Sequence, residues 1–201
     1  ATLPPRPKGE RPKVPWGPLL QRMWPVTLTY FCYGWCLWLY LNWLPLFFKN
    51  NYSLDLKNSA LFASGVFFAG VVGDTVGGVV SDRILRKTGS VSKARVSVIV
   101  VGFLGAFLFM LPVLFVTDLV TITLCLSGAF FFAELIVAPI WAVPMDIAPQ
   151  HSGTASGFMN FGFGLAGMIS PVVFGAVIDA TGRWDLPFVA SLGLLLLGAV
   201  L

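Results

Sequence analysis

Five stretches of this chain are too long and too uncharged to fit the interior of a water-soluble domain. They cover residues 24–48, 60–80, 96–116, 119–143 and 154–178, and a sixth begins near Leu186 and is still running at Leu201. A bilayer core about 30 Å thick needs roughly 20 apolar residues to be crossed as a helix. Each complete stretch is therefore predicted to be a transmembrane helix. Composition agrees, since only 11% of residues are charged, against about a quarter in soluble domains. The expected fold class is an all-α membrane protein with six transmembrane helices.

The net charge of +4 would suit nucleic acid if the basic residues were scattered, but they are sorted by side. With the N-terminal end inside, Arg6, Lys8, Arg11, Lys13, Arg22, Arg83, Arg86, Lys87, Lys93 and Arg95 are cytoplasmic. Only Lys49, Lys57 and Arg183 fall outside. That is the positive-inside asymmetry of a membrane protein, so the charge reports topology and no nucleic-acid partner is expected. Residues 1–23 are read as a cytoplasmic linker between two halves of a longer protein, because their start is rich in Pro, Lys and Arg and lacks a signal-peptide layout. Residues 24–201 are read as the bundle, with its last helix cut short. Cys32, Cys36 and Cys125 all lie in apolar stretches, without metal-ligand spacing or a disulfide framework. No metal and no cofactor is expected.

Two acids fall inside the spans, Asp74 in the second and Glu134 in the fourth. An ionised carboxylate facing lipid costs roughly 2.5 to 3.5 kcal/mol or more, so both should face the bundle, pair with a cation or stay protonated. Glu134 lies seven residues before Trp141 and shares its helix face, near mid-bilayer where transporter sites lie. It is the candidate proton-coupling or substrate-contacting acid, the alternative being a hydrogen-bonded structural acid. Asp74 sits among Gly70, Gly73, Gly77 and Gly78, so an interhelical or interdomain salt bridge is expected of it. In the fifth span Gly153, Gly157, Asn160, Gly164, Gly167, Pro171 and Gly175 recur at steps of four and three. They form one small-residue face suited to close helix packing. Asn160 in that row is read either as an interhelical hydrogen-bonding group or as a substrate contact. The first span is rich in aromatics. Tyr30, Tyr33 and Tyr40 share a face, with Tyr33 and, near the outer end, Asn42 as candidate substrate contacts. His151 is read as a solvated loop residue. No Lys or Arg lies inside a span, so a cation for an anionic substrate must come from outside this chain.

The stretch from Gly78 through Ser81-Asp82-Arg83-Ile84-Leu85-Arg86-Lys87 resembles the cytoplasmic loop signature of the major facilitator superfamily, with Leu85 where a glycine is usual. Gly78 would permit close helix contact, and Asp82 could accept hydrogen bonds from a neighbouring helix N-terminus. Gly78, Asp82, Arg83, Arg86 and Lys87 are thus candidate latch residues, together with Asp74. The alternative is an ordinary charged loop. Trp43-Leu44-Pro45, Trp141, Asp146-Ile147-Ala148-Pro149, Gly153-Thr154, Ser156-Gly157, Asn160-Phe161, Pro171, Gly175 and Asp179 are similar to the anion:cation symporter branch of that superfamily. The branch includes carriers of hexuronates, aldarates and galactonate.

The resemblance implies the C-terminal half of a proton-coupled organic-anion importer in a bacterial inner membrane, completed by a missing N-terminal six-helix half. It also implies two inverted three-helix repeats. Trp141 and Asn160 match positions lining the sugar-acid site, whereas Ala138 and Ile140 stand where relatives carry hydroxyls. A carrier of drugs or neutral sugars, and a non-transporting membrane scaffold, are the competing readings. The spans hold no paired catalytic carboxylates, His-rich site or Ser/His arrangement, so no enzyme is expected.

Overall fold

The computed structural model describes residues 14–201; residues 1–13 of the expected linker lie outside the described residues. The elements in order are α1 (Trp16–Tyr52), α2 (Leu56–Thr88), α3 (Val91–Met110) with a 3-10 turn (Leu111–Leu114), α4 (Leu119–Glu134), α5 (Val137–Ile147), α6 (Ser152–Thr181) and α7 (Leu186–Val200). Five spans are long and apolar enough to cross a membrane, α4 and α5 together forming the fourth, and α7 is a shorter apolar helix. Helix α1 starts ahead of its apolar stretch, so residues 16–23 of the expected linker are helical.

Local chemistry fixes the helix ends. Asp55 caps α2 by accepting from the Asn58 N–H at 2.8 Å, and Asp118 caps α4 by accepting from the Thr121 N–H at 2.8 Å, each filling an otherwise orphaned donor. The Thr121 backbone and hydroxyl hold the Asp118 carboxyl below the usual carboxylate range. Gly89 ends α2 in the left-handed region at φ 63°, which a glycine adopts without penalty.

The packing has an internal symmetry. Helix α1 packs on α6 and α7, and α4 packs on α2 and α3. Exchanging the first three spans with the last three converts one set of contacts into the other. The first and fourth spans run in opposite directions, as inverted repeats require.

The fourth span is not one continuous helix. After Glu134 the chain makes a turn at Leu135 and Ile136 before α5 begins. Pro139 supplies the cause: it has no N–H to give the Leu135 carbonyl four residues earlier, and its ring crowds that position. Ile136 falls back on a tighter bond to the Ala133 carbonyl at 3.2 Å. The released Leu135 carbonyl lies against Gly77 of α2, where any Cβ would overlap it, and the Phe131 carbonyl lies in the same way against Gly73. Such close approach of backbones is what small residues permit in lipid.

Candidate functional site

Four spans converge at this break. Helix α1 presents Tyr30 and Tyr33, one turn apart, with rings stacked at 5.4 Å. Phe163 of α6 extends the stack, 5.1 Å from Tyr30. Trp141 of α5 stands edge-on to Tyr30 and donates its Nε1–H to the Tyr30 hydroxyl at 2.8 Å. Glu134, the last residue of α4, accepts the Tyr33 hydroxyl at 2.9 Å through Oε1. Its methylene sits against Gly70 of α2, one turn from Asp74. The Asp74 carboxyl lies near enough for its charge to act on Glu134 and both tyrosines. Its Oδ1 is buried with no hydrogen-bond partner among the described residues.

Donor accounting sharpens the picture. Tyr33 spends its single hydrogen on Glu134, whereas Tyr30 accepts from Trp141 and keeps its own hydrogen available. The cluster therefore offers two carboxyls, one free hydroxyl donor and an aromatic wall, and none of its members is basic.

Of the residues singled out from sequence, Tyr33, Glu134, Trp141 and Asp74 come together here. Asp74 forms no ion pair among the described residues, so the interhelical form of the expected salt bridge is not made here; the interdomain form concerns residues outside this chain. Tyr30, passed over in favour of Tyr33, is the cluster's central ring. Asn42 is exposed and donates to the Trp38 carbonyl of its own helix at 2.9 Å, away from this cluster.

Asn160 is exposed and makes no hydrogen bond among the described residues, one turn from Phe163. Its glycine row does share a face: Gly167 lies against the Trp38 indole and Gly175 against Trp43, whereas Gly153, Gly157 and Gly164 have open space beside them among the described residues. The fully buried row of α6 is Ala155, Met159, Gly162, Ala166, Ser170, Phe174 and Ile178. In lipid both faces of a helix are apolar, so residue size alone does not say which side is covered. His151, expected to be solvated, has a buried Nε2.

A second polar cluster closes the basic end. Arg95, near the start of α3 and only 9% exposed, bonds Asp82 of α2 at 3.0 Å through Nη1 and Asp146 of α5 at 3.1 Å through Nε. Its Nη1 also donates to Ser81 at 2.7 Å, and Ser81 donates to the Ala94 carbonyl at 3.1 Å. The partner of Asp82 is thus a guanidinium and not a helix N-terminus. Gly78 faces Ala138 of α5. Arg83, Arg86 and Lys87 are exposed and form no ion pair among the described residues.

A bundle of apolar helices in inverted repeats, with carboxyls and aromatic rings gathered at a broken helix in its middle, defines a membrane carrier domain. The chain belongs to the Major Facilitator Superfamily, whose family model matches residues 1–171. It is 52% identical to the probable sulfoacetate transporter of Cupriavidus necator over 92% of this chain and 43% of that protein. It is 29% identical to the hexuronate transporter of Bacillus subtilis, over 84% of this chain and 40% of that protein. It is 27% identical to a probable galactarate/D-glucarate transporter of Escherichia coli, over 86% and 39%. The chain thus spans less than half the length of these three relatives, all of which are transporters and not enzymes.

Proposed function

We propose that this chain forms the C-terminal half of a proton-coupled carrier that imports a small organic anion by alternating access. One observation carries the reading: Glu134 and Asp74 share a site inside the membrane with no cation paired to either among the described residues. Two ionised carboxyls there would repel each other and would each bear the cost of leaving water. A proton arriving with the substrate removes that cost, and its departure restores it, which is what coupling requires. Tyr33 holds Glu134 in place, Tyr30 turns its free hydroxyl hydrogen toward an anionic oxygen, and Trp141 fixes Tyr30. Asn160, exposed one turn beyond Phe163, and Asn42, farther out, remain candidate substrate contacts. The cation that neutralises the substrate belongs to the other six-helix half. Gly78 and the Asp82–Arg95–Asp146 cluster act as the latch at the basic end, which faces the cytoplasm of a bacterial inner membrane.

The relative at 52% identity favours a short sulfonated acid as substrate. Sugar acids, named for the relatives below 30% identity, are the second reading. Thermal unfolding of the full-length protein separates these readings. Sulfoacetate should raise the midpoint most, hexuronates or galactarate less, and hydrophobic cations or neutral hexoses not at all. Stabilisation by a hydrophobic cation or a neutral hexose alone would refute an anion site.

A further inference from the structure

We infer that Trp38 of α1 is the residue that limits how long an anion the site admits. The inference rests on the anion site proposed above and adds a wall that the carboxyl cluster does not contain.

The aromatic stack does not stop at Phe163. Trp38 lies two turns beyond Tyr30 on α1, and its ring stands 5.7 Å from Phe163, tilted by 41°. Phe163 in turn stacks on Tyr30, whose hydroxyl hydrogen is the donor kept for the substrate. The rings thus run without a gap from the carboxyls to Trp38. Beside Phe163, α6 leaves room. Gly164 has nothing within 4 Å of the place a Cβ would take, and Asn160, one turn earlier, is exposed. Gly167, one turn after Gly164, continues the same side of the helix, and there the Trp38 indole covers it. Trp38 therefore ends the open stretch that begins at Asn160.

Shape alone holds the indole in that position. Its Nε1 is buried with no hydrogen-bond partner among the described residues, so no such bond fixes the ring. The slot at Gly167 does: a Cβ there would overlap Nε1 and Cε2 of the indole and push the ring off α6 into the open stretch. Trp38 as a whole is only half-buried, so one side of it still borders that space. A rigid ring at the end of an open stretch selects by length. An anion whose charged groups are one methylene apart stops short of it, whereas a sugar diacid, with its longer chain, meets it.

The test uses the full-length protein, with sulfoacetate as the short probe and galactarate as the long one. It reads the ratio of their dissociation constants, which does not depend on how much of each preparation is folded. Trp38→Ala should lower the preference for sulfoacetate about tenfold, the low end of what an apolar wall discriminates by size, mainly by admitting galactarate. Gly167→Ala should act in the opposite sense and weaken galactarate further. Combining the two should abolish the effect of Gly167→Ala, since no indole remains for the new Cβ to displace. Should Trp38→Ala not fold, Trp38→Leu takes its place with the same expected direction. A merely structural Trp38 would lower the unfolding midpoint when replaced and leave the ratio alone. The inference is overturned if the Trp38 variants keep the wild-type ratio, if Gly167→Ala acts equally with and without Trp38, or if the wild type prefers galactarate. None of these results touches the anion site itself. A wild type that binds neither probe would remove that site, and the length filter with it.

Discussion

Helix α2 carries Asp74 and Asp82, two turns apart, in opposite electrical surroundings. Asp82 faces Arg95 at 3.0 Å, with Asp146 on the same guanidinium. Asp74 lies one turn from Gly70, against which the Glu134 methylene sits, and its buried Oδ1 has no partner among the described residues. The fourth span repeats the contrast, with Glu134 at its break and Asp146 near its far end. Each cluster therefore takes one acid from α2 and one from the fourth span, and only the cluster at the basic end contains its own cation. That cluster can hold these helices together unaided. The one at the break has no such tie among the described residues, which is why the transport step is proposed there and the latch at the basic end.

The largest expected effect comes from separating the helices that bring the two acids together. Gly77→Leu would drive a side chain into the Leu135 carbonyl. Overpacking against a backbone that cannot yield should cost about 3 kcal/mol and should move Asp74 away from Glu134. Thermal unfolding of the full-length protein checks it; an unchanged midpoint would mean that the helices are not held this closely.

The next effect falls on the basic end. Arg95→Gln leaves Asp82 and Asp146 facing each other without a cation, making this cluster resemble the one at the break. Hydrogen bonds to charged groups contribute about 1.5 to 3 kcal/mol. Because the Asp82 side chain is 59% exposed, water takes over part of that, and a loss of about 1 to 2 kcal/mol is expected. Adding Asp146→Asn to Arg95→Gln should recover part of the loss, and a double-mutant cycle measures the coupling. Simple additivity would mean that Arg95 and Asp146 do not act together.

The two clusters also differ in how far the sequence revealed them. The spans were legible because a bilayer imposes a length on apolar stretches that no soluble core requires. Asp74 and Glu134 stood out because charge is rare in such stretches. Arg95 did not stand out, since by position it was one of ten basic residues satisfying the same topological rule. Only the third dimension brings it to Asp82 and Asp146. Tyr30 was visible as a ring on the right face, but its role as acceptor from Trp141 depends on where α5 points after the break. The glycine row of α6 was legible as one face from spacing, but not which of its members pack: among the described residues Gly167 and Gly175 meet Trp38 and Trp43, and Gly153, Gly157 and Gly164 meet nothing.

Transport by a Glu134→Gln variant of the full-length protein in proteoliposomes tests the central claim most directly. Glutamine keeps the size and accepts the Tyr33 hydroxyl, but it cannot gain or lose a proton. An inwardly directed proton gradient should drive accumulation of the organic anion by the wild type and none by the variant, while exchange of labelled for unlabelled substrate persists. Gradient-driven accumulation by the variant at the wild-type level would contradict the account.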